Sequence, residues 1–388
     1  MLAVSESATA RAEPRTHRPH PFARHETWLA PGPAPVPEST QKAEQAVIEF
    51  FTGLQPLQAG ETDPDRMISR IKELDRSNAI DRVLLGYSST WPHNHATAPF
   101  ALAASEKFSP IVAHRPGVMA PVAAARYFAT LDVLARGRLA VNVVVGGSDK
   151  DLRRESDDLP KAARYRRAVE YLDLVRRAWT ETEPFDHHGE YYTAEAVKLQ
   201  TKPVQGQVPI FMGGESADAV DFGARHADLY MLWGEPFAGT KERVDQVTAA
   251  AQSYGRPMRF SLSLRLFIGD TDDDAWARAR AVEREIAEAA GTSTFLRSSS
   301  TDTSVGRQRA LALTDHELHD DCFWTGLTKL LGGFANSQAL VGTEERILDT
   351  LGRYRELGVD TFLVTTGAEA AWDPSLEGFL ARAKKELA

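Results

Sequence analysis

The chain predicts an α/β fold, a (β/α)8 barrel, and three observations lead there. Eight short, β-branched apolar runs recur along the sequence, longer stretches with helical periodicity fill most of the gaps between them, and 388 residues with 43% hydrophobic content can enclose one large core. The strand candidates are residues 47–51, 82–86, 110–114, 139–145, 209–213, 229–233, 260–268 and 361–366. Eight is the number that closes a barrel. The helical stretches are 121–135, 162–179, 241–253, 274–289 and 344–357.

Three segments do not belong to a minimal barrel. Residues 1–45 are rich in Pro, Ala, Arg and His, with Pro31, Pro33, Pro35 and Pro37 alternating, which opposes both helix and central strand; they predict an extended arm, and 46–388 the barrel domain. Residues 184–197, with Gly189 in a polar centre and Tyr191 and Tyr192 beyond it, predict a hairpin inserted after strand four. An insertion of about 292–340 between strands seven and eight opens on the Ser/Thr-rich stretch 298–304 and is long enough for a lid over the catalytic face. Such a lid is expected to be mobile without ligands and to keep water from the reaction.

A formal net charge of −9, spread along the chain, disfavours nucleic acid and lipid surfaces as partners and points to small-molecule ligands. Cys322 is the sole cysteine, so no intrachain disulfide and no cysteine-based metal site can form. No apolar run approaches the ~20 residues that span a bilayer, and the N-terminus lacks a secretory layout. Its arginines could suggest a transit peptide, but Ala and Arg are frequent throughout. A cytoplasmic protein is expected.

In such a barrel the active site lies at the C-terminal ends of the strands. The strongest local signal is Ile210-Phe211-Met212-Gly213-Gly214-Glu215-Ser216, a strand running into two glycines and a helix start. Paired glycines let backbone N–H groups approach a phosphate, and a helix directs its positive end there; the same pattern also makes an ordinary tight turn. Asn142 is the one polar residue in the run Val141-Asn142-Val143-Val144-Val145-Gly146 and needs a hydrogen-bond partner, either a ligand or backbone. His114-Arg115-Pro116-Gly117 ends strand three, with one side chain available to the pocket and the other to a salt-bridged rim. Alternation sends Ser261, Ser263 and Arg265 to one face of strand seven, where Arg265 would meet an anion or a barrel carboxylate. The clusters His93/His95, His187/His188 and His316/His319 complete no standard metal ligand set, and no metal is expected. There is no GxGxxG or GxxxxGK[ST] element.

Laid in order, these stretches resemble the two-component alkanesulfonate monooxygenase branch of the bacterial-luciferase superfamily. The resemblance rests on Arg115-Pro116-Gly117-Val118 through Pro121-Val122-Ala123-Ala124-Ala125-Arg126, on Ala129-Thr130-Leu131-Asp132, Gly137-Arg138, Asn142 with Gly146, and Arg164-Tyr165. It continues through Met212-Gly213-Gly214-Glu215-Ser216, Asp228-Leu229-Tyr230, Trp233-Gly234-Glu235-Pro236, Ser304-Val305-Gly306-Arg307-Gln308-Arg309 and Ala339-Leu340-Val341-Gly342. It implies that reduced FMN, delivered by a separate NAD(P)H:flavin reductase, binds with its phosphate near Gly214, Glu215, Ser216 and Tyr165 and its ring beside Asn142. Gly146 and Gly213 complete the expected cofactor set, and His114, Trp233 and Arg265 are the expected catalytic residues. O2 and a small organic substrate, a sulfonate or other organosulfur compound first, would react in a homo-oligomer (dimer or tetramer). Departures cluster where the substrate should sit: Ser263 and Arg265 replace an Arg and a His, Gly367 and Glu369 replace a Tyr and a His, Leu331 replaces an Arg with Lys329 two residues earlier, and 91–96 lacks the loop Cys. Sulfonate recognition therefore looks altered. Alternatives are a hydroxylase or oxidative-cleavage enzyme of another substrate, a deazaflavin oxidoreductase, and a non-catalytic barrel subunit.

Overall fold

Eight parallel strands close on themselves in the computed structural model, which describes residues 48–54, 60–146, 149–292, 304–333, 336–367 and 372–388. They are β1 (Glu49–Leu54), β2 (Arg82–Leu85), β3 (Pro110–His114), β4 (Ala140–Val143), β5 (Ile210–Met212), β6 (Leu229–Trp233), β7 (Arg259–Ile268) and β8 (Val359–Thr365). Each pairs with its sequence neighbour, and β8 closes the ring on β1. All eight expected runs are strands. The expected arm, the stretch 298–303 and Glu369 lie outside the described residues.

Two layers of side chains hold this arrangement. Phe51, Ile111, Ala140, Phe211, Leu229, Met231 and Leu363 pack inside the ring, while Val112, Val141, Ile210, Leu262, Leu264 and Val364 face the outer helices. Strands buried on both faces read as continuous apolar runs, which is why all but β7, with its alternating Ser261, Ser263 and Arg265, were visible as runs. The helices supply the other half of the outer layer. Pro64–Arg76, capped by Asp63 with Pro64 in its first turn, buries Met67, Ile71 and Leu74 at helical spacing. Lys161–Thr180 does the same with Ala168, Tyr171, Leu172, Val175 and Trp179.

The inserted hairpin is present as Phe185–His188 paired antiparallel with Thr193–Val197, and the Glu170 carboxylate accepts from the backbone N–H groups of Tyr191 and Tyr192 at its turn. The second insertion is more structured than its composition suggests. Its described part holds the helices Val305–Ala312 and Gly326–Leu330 and the short strands Leu318–His319, Phe323–Trp324 and Ala339–Gly342. Ala339–Gly342 runs parallel to the outer half of β7, from Arg265 to Ile268. Trp324, fully buried, packs edge-on against Phe267 and Trp276, with centroids 6.0 and 5.7 Å away. A small second core of Phe267, Ala275, Ile286, Trp324, Leu327 and Val341 thus fastens this segment to the barrel. Among the described residues no helix is long and apolar enough to cross a membrane.

Candidate active site

A cavity of about 280 Å³ opens at the C-terminal ends of the strands and gathers all seven expected cofactor residues, Asn142, Gly146, Tyr165, Gly213, Gly214, Glu215 and Ser216, together with Trp233. One wall is the turn that follows β5. A Cβ on Gly213 would lie 2.4 Å from the carbonyl oxygen of Met231, and one on Gly214 would lie 2.6 Å from the Ala219 Cβ. Both glycines are thus required by close approach to β6 and to the next helix. Ser216 caps that helix, Ala217–His226, its Oγ accepting from the Ala219 N–H at 3.3 Å. The Tyr230 hydroxyl donates to the Gly214 carbonyl at 2.5 Å. Tyr165 hydrogen-bonds Ser216, and burial raises the phenol above its ordinary range. Glu215 turns from the loop to pair with Arg243 at 3.0 Å. Burial pushes its carboxyl up, and Arg243 opposes that shift.

Beside this turn stands a cationic corner. Lys161, Arg164 and Asp149 line the cavity. Arg164 donates to the Leu159 carbonyl at 2.7 Å and to Asp149 at 3.3 Å, and its Nε is buried without a partner. Gly146, at φ +150°, leaves room for it: a Cβ there would lie 3.1 Å from that Nε. Asn142 points inward from β4, and its Oδ1 is buried with no partner.

Trp233 ends β6 and is roofed by the second insertion. Ser304, Val305 and Gly306 line the cavity, and a Cβ on Gly306 would lie 2.9 Å from Glu215 and 3.1 Å from the Trp233 ring. Arg309 holds this helix in place with two bonds of 2.8 Å to the Glu235 carboxylate.

The opposite wall comes from β2, β7 and β8. Leu84 and Leu363, with Met231 from the adjoining β6, supply apolar surface, and Ser261 and Ser263, with Asn336 from the second insertion, the polar groups. Ser263 donates to the Asn336 Oδ1. Arg265 follows the alternation predicted for it, and its contacts are backbone carbonyls in place of a barrel carboxylate. It is buried, donating through Nε to the Asn336 carbonyl at 2.6 Å and through Nη1 to the Gly367 carbonyl. Among the described residues no carboxylate pairs with it, and it is absent from the cavity lining. Burial lowers its pKa to about 10.

Residues 46–361 match the model of the luciferase-like monooxygenases. The chain belongs to that family. Solved structures agree on the fold at low identity. EDTA monooxygenase from Chelativorans sp. BNC1 is 18% identical over 88% of this chain and 93% of its own, with a TM-score of 0.65. The oxygenating constituent of 3,6-diketocamphane monooxygenase from Pseudomonas putida, in complex with FMN, is 18% identical over 88% and 98%, at 0.64. A secondary alcohol dehydrogenase dependent on coenzyme F420 is 17% identical over 87% and 97%, at 0.61.

In this luciferase-like monooxygenase His114, expected at the site, lies elsewhere. Ile111 faces the barrel interior and Val112 the helices, so His114 also faces outward. It sits between His95 Nε2 at 3.0 Å and the Tyr171 hydroxyl at 2.7 Å, and burial, with a smaller contribution from His95, holds its pKa well below the usual imidazole range. Arg115 is the rim residue, ion-paired with Glu155 and 5.0 Å from the centroid of the Tyr87 ring. Among the described residues no group of three or more His, Cys, Asp or Glu side chains could hold a metal ion. Sequence reading missed Asp149, Lys161, Met231 and Asn336. Arg164 was visible only as part of a matched motif, and Lys161, one helical turn before it, was findable as its neighbour on the same face.

Proposed function

We propose that this protein is a monooxygenase that receives reduced FMN from a separate NAD(P)H:flavin reductase and uses O2 to oxidise a small organic substrate. The observation that carries this reading is the buried, unpartnered Asn142 Oδ1 in the same cavity as the Gly213–Gly214 cradle. An orphaned acceptor costs on the order of 1–3 kcal/mol, and the N–H edge of a flavin ring is a partner that offsets it. The residues present fit the rest of the cofactor. Ser216, the helix start behind it, Tyr165, Arg164 and Lys161 form a corner with hydroxyl donors and positive charge for a phosphate. Bound reduced FMN supplies the electrons with which O2 is activated. The chain positions it, and the roof of Val305 and Gly306 over Trp233 excludes water from the reacting side. Trp233 is the one expected catalytic residue that lines the cavity, as an apolar wall. Arg265 acts through the segments it holds.

Anaerobic titration tests this directly: reduced FMN should bind at least tenfold more tightly than FAD or NADPH, and oxygen uptake should require an added flavin reductase. The variant Asn142→Val should bind reduced FMN at least tenfold more weakly while its ligand-free form is no less stable, because the substitution removes an unpaired polar group. Failure of reduced FMN to bind would refute the reading. A second reading, a deazaflavin oxidoreductase, is motivated by the likeness to the coenzyme F420 enzyme. Tighter binding of reduced F420 and oxygen-independent turnover would favour it.

A further inference from the structure

We propose that the substrate is uncharged, with one hydrogen-bond acceptor held by the Ser263–Asn336 pair and an apolar body lying against Leu84, Met231 and Leu363. This rests on the flavin reading of the opposite wall and says what faces the cofactor.

Three observations carry it. First, the guanidinium on this side of the site is already engaged. Arg265 donates to the backbone carbonyls of Asn336 and Gly367 and is not among the residues that line the cavity, so its charge is spent on holding two loop segments. Second, the cations that do line the cavity, Lys161 and Arg164, rise from the helix that follows β4, across the barrel from β8. They belong to the phosphate corner. Among the described lining residues, the wall formed by β2, β7 and β8 carries no formal charge, and burying an anion there without a partner would be costly. Third, the polar groups on this wall can present a donor. The Ser263 hydroxyl donates to the Asn336 Oδ1, so the group Asn336 retains is its amide NH2, a donor. Asn336 adopts φ +60°, a left-handed conformation that Asn tolerates, and its own carbonyl is held by Arg265. A neutral donor beside apolar surface, with no cation on the same wall, favours a carbonyl, sulfoxide or sulfone oxygen over a sulfonate or carboxylate.

The test uses matched pairs that share a body and differ in charge: methyl octyl sulfone against octane-1-sulfonate, and 2-decanone against decanoate. Binding is followed anaerobically through the spectrum of the reduced-FMN complex, after reduced FMN alone has been titrated, and again by thermal shift on the flavin-free protein. The neutral member of each pair should bind at least tenfold more tightly. Ser263→Arg should erase or reverse that preference while changing the dissociation constant for reduced FMN less than twofold. Equal or tighter binding of the anions by the unmodified protein, or no binding of either neutral compound, would overturn the proposal. Loss of reduced-FMN binding with the neutral preference intact in the thermal shift would instead overturn the cofactor assignment and leave the substrate wall standing.

Discussion

The two walls of the cavity are built from different material. On the β4–β5 side the decisive contacts involve backbone: glycines pressed against Met231 and Ala219, a serine capping a helix, a tyrosine hydroxyl on a carbonyl. On the β7–β8 side they run from side chains to distant loop segments, with Arg265 reaching carbonyls 71 and 102 residues away. A wall made by close backbone approach tolerates almost no change in side-chain volume. One made by long side chains can be re-aimed by a single substitution. The proposed cofactor site lies on the first wall and the proposed substrate site on the second.

The contrast breaks most visibly at Gly213. Gly213→Ala places a methyl group against a backbone oxygen that cannot rotate away, so roughly 3 kcal/mol of stability and most of the reduced-FMN affinity should be lost. Chemical denaturation and flavin titration read the two effects, and unchanged values would mean that the turn is looser than the walls of the comparison require.

Acid supplies a control located in neither wall. Burial, then the neighbouring His93, lowers the His95 pKa from 6.5 to about 4. The unfolded chain therefore takes up this proton near pH 6.5 and the native protein only near pH 4. Stability is complete above pH 6.5 and falls as the pH drops from there to 4, by on the order of 3 kcal/mol for His95. His95→Asn should flatten urea midpoints measured over this range. An unaltered slope would show that His95 does not titrate as its burial requires.

A smaller loss is expected on the side-chain wall. Arg265→Met orphans two carbonyls and should cost about 2 kcal/mol, lowering substrate turnover while the reduced-FMN dissociation constant moves less than twofold. Weaker flavin binding of similar size would erase the distinction between the walls. The smallest effect belongs to Ser216→Ala, about 1 kcal/mol from the lost helix cap, accompanied by about tenfold weaker reduced-FMN binding. A stability loss without that weakening would leave Ser216 a cap alone.

How much of this was legible in the sequence follows the same division. The strands could be counted because doubly buried strands are long apolar runs, and the glycine turn was readable because its contacts are local or nearly so. Asn142 stood out as the one polar residue in its run. His114 was misplaced because both faces of β3 are buried, so composition does not reveal which residues point inward. For Arg265 alternation indicated its face, but its partners are carbonyls, which have no residue signature, on loops brought close only by the closed barrel. Asn336 was invisible for the same reason. The packed half of the second insertion was hidden behind the polar stretch with which it opens, although Trp324, Leu327 and Val341 are its buried anchors.

The ten-residue β7 is longer than its neighbour, and this has a consequence for how molecules of this protein meet one another. β6 covers it from Arg259 to Ser263, and Ala339–Gly342 takes over from Arg265 to Ile268. Gly234 sits at the handover, where a Cβ would lie 2.7 Å from the Ser263 carbonyl and 3.1 Å from Gln338. Without the returning segment, Arg265 to Ile268 would present unpaired N–H and C=O groups along an apolar edge, a template on which a strand from another chain could add. The insertion between β7 and β8 therefore covers an edge that would otherwise be open to strand addition. Val341→Pro, which removes the N–H of a returning-strand residue but leaves every cavity-lining side chain in the chain, should produce a protein that self-associates more readily.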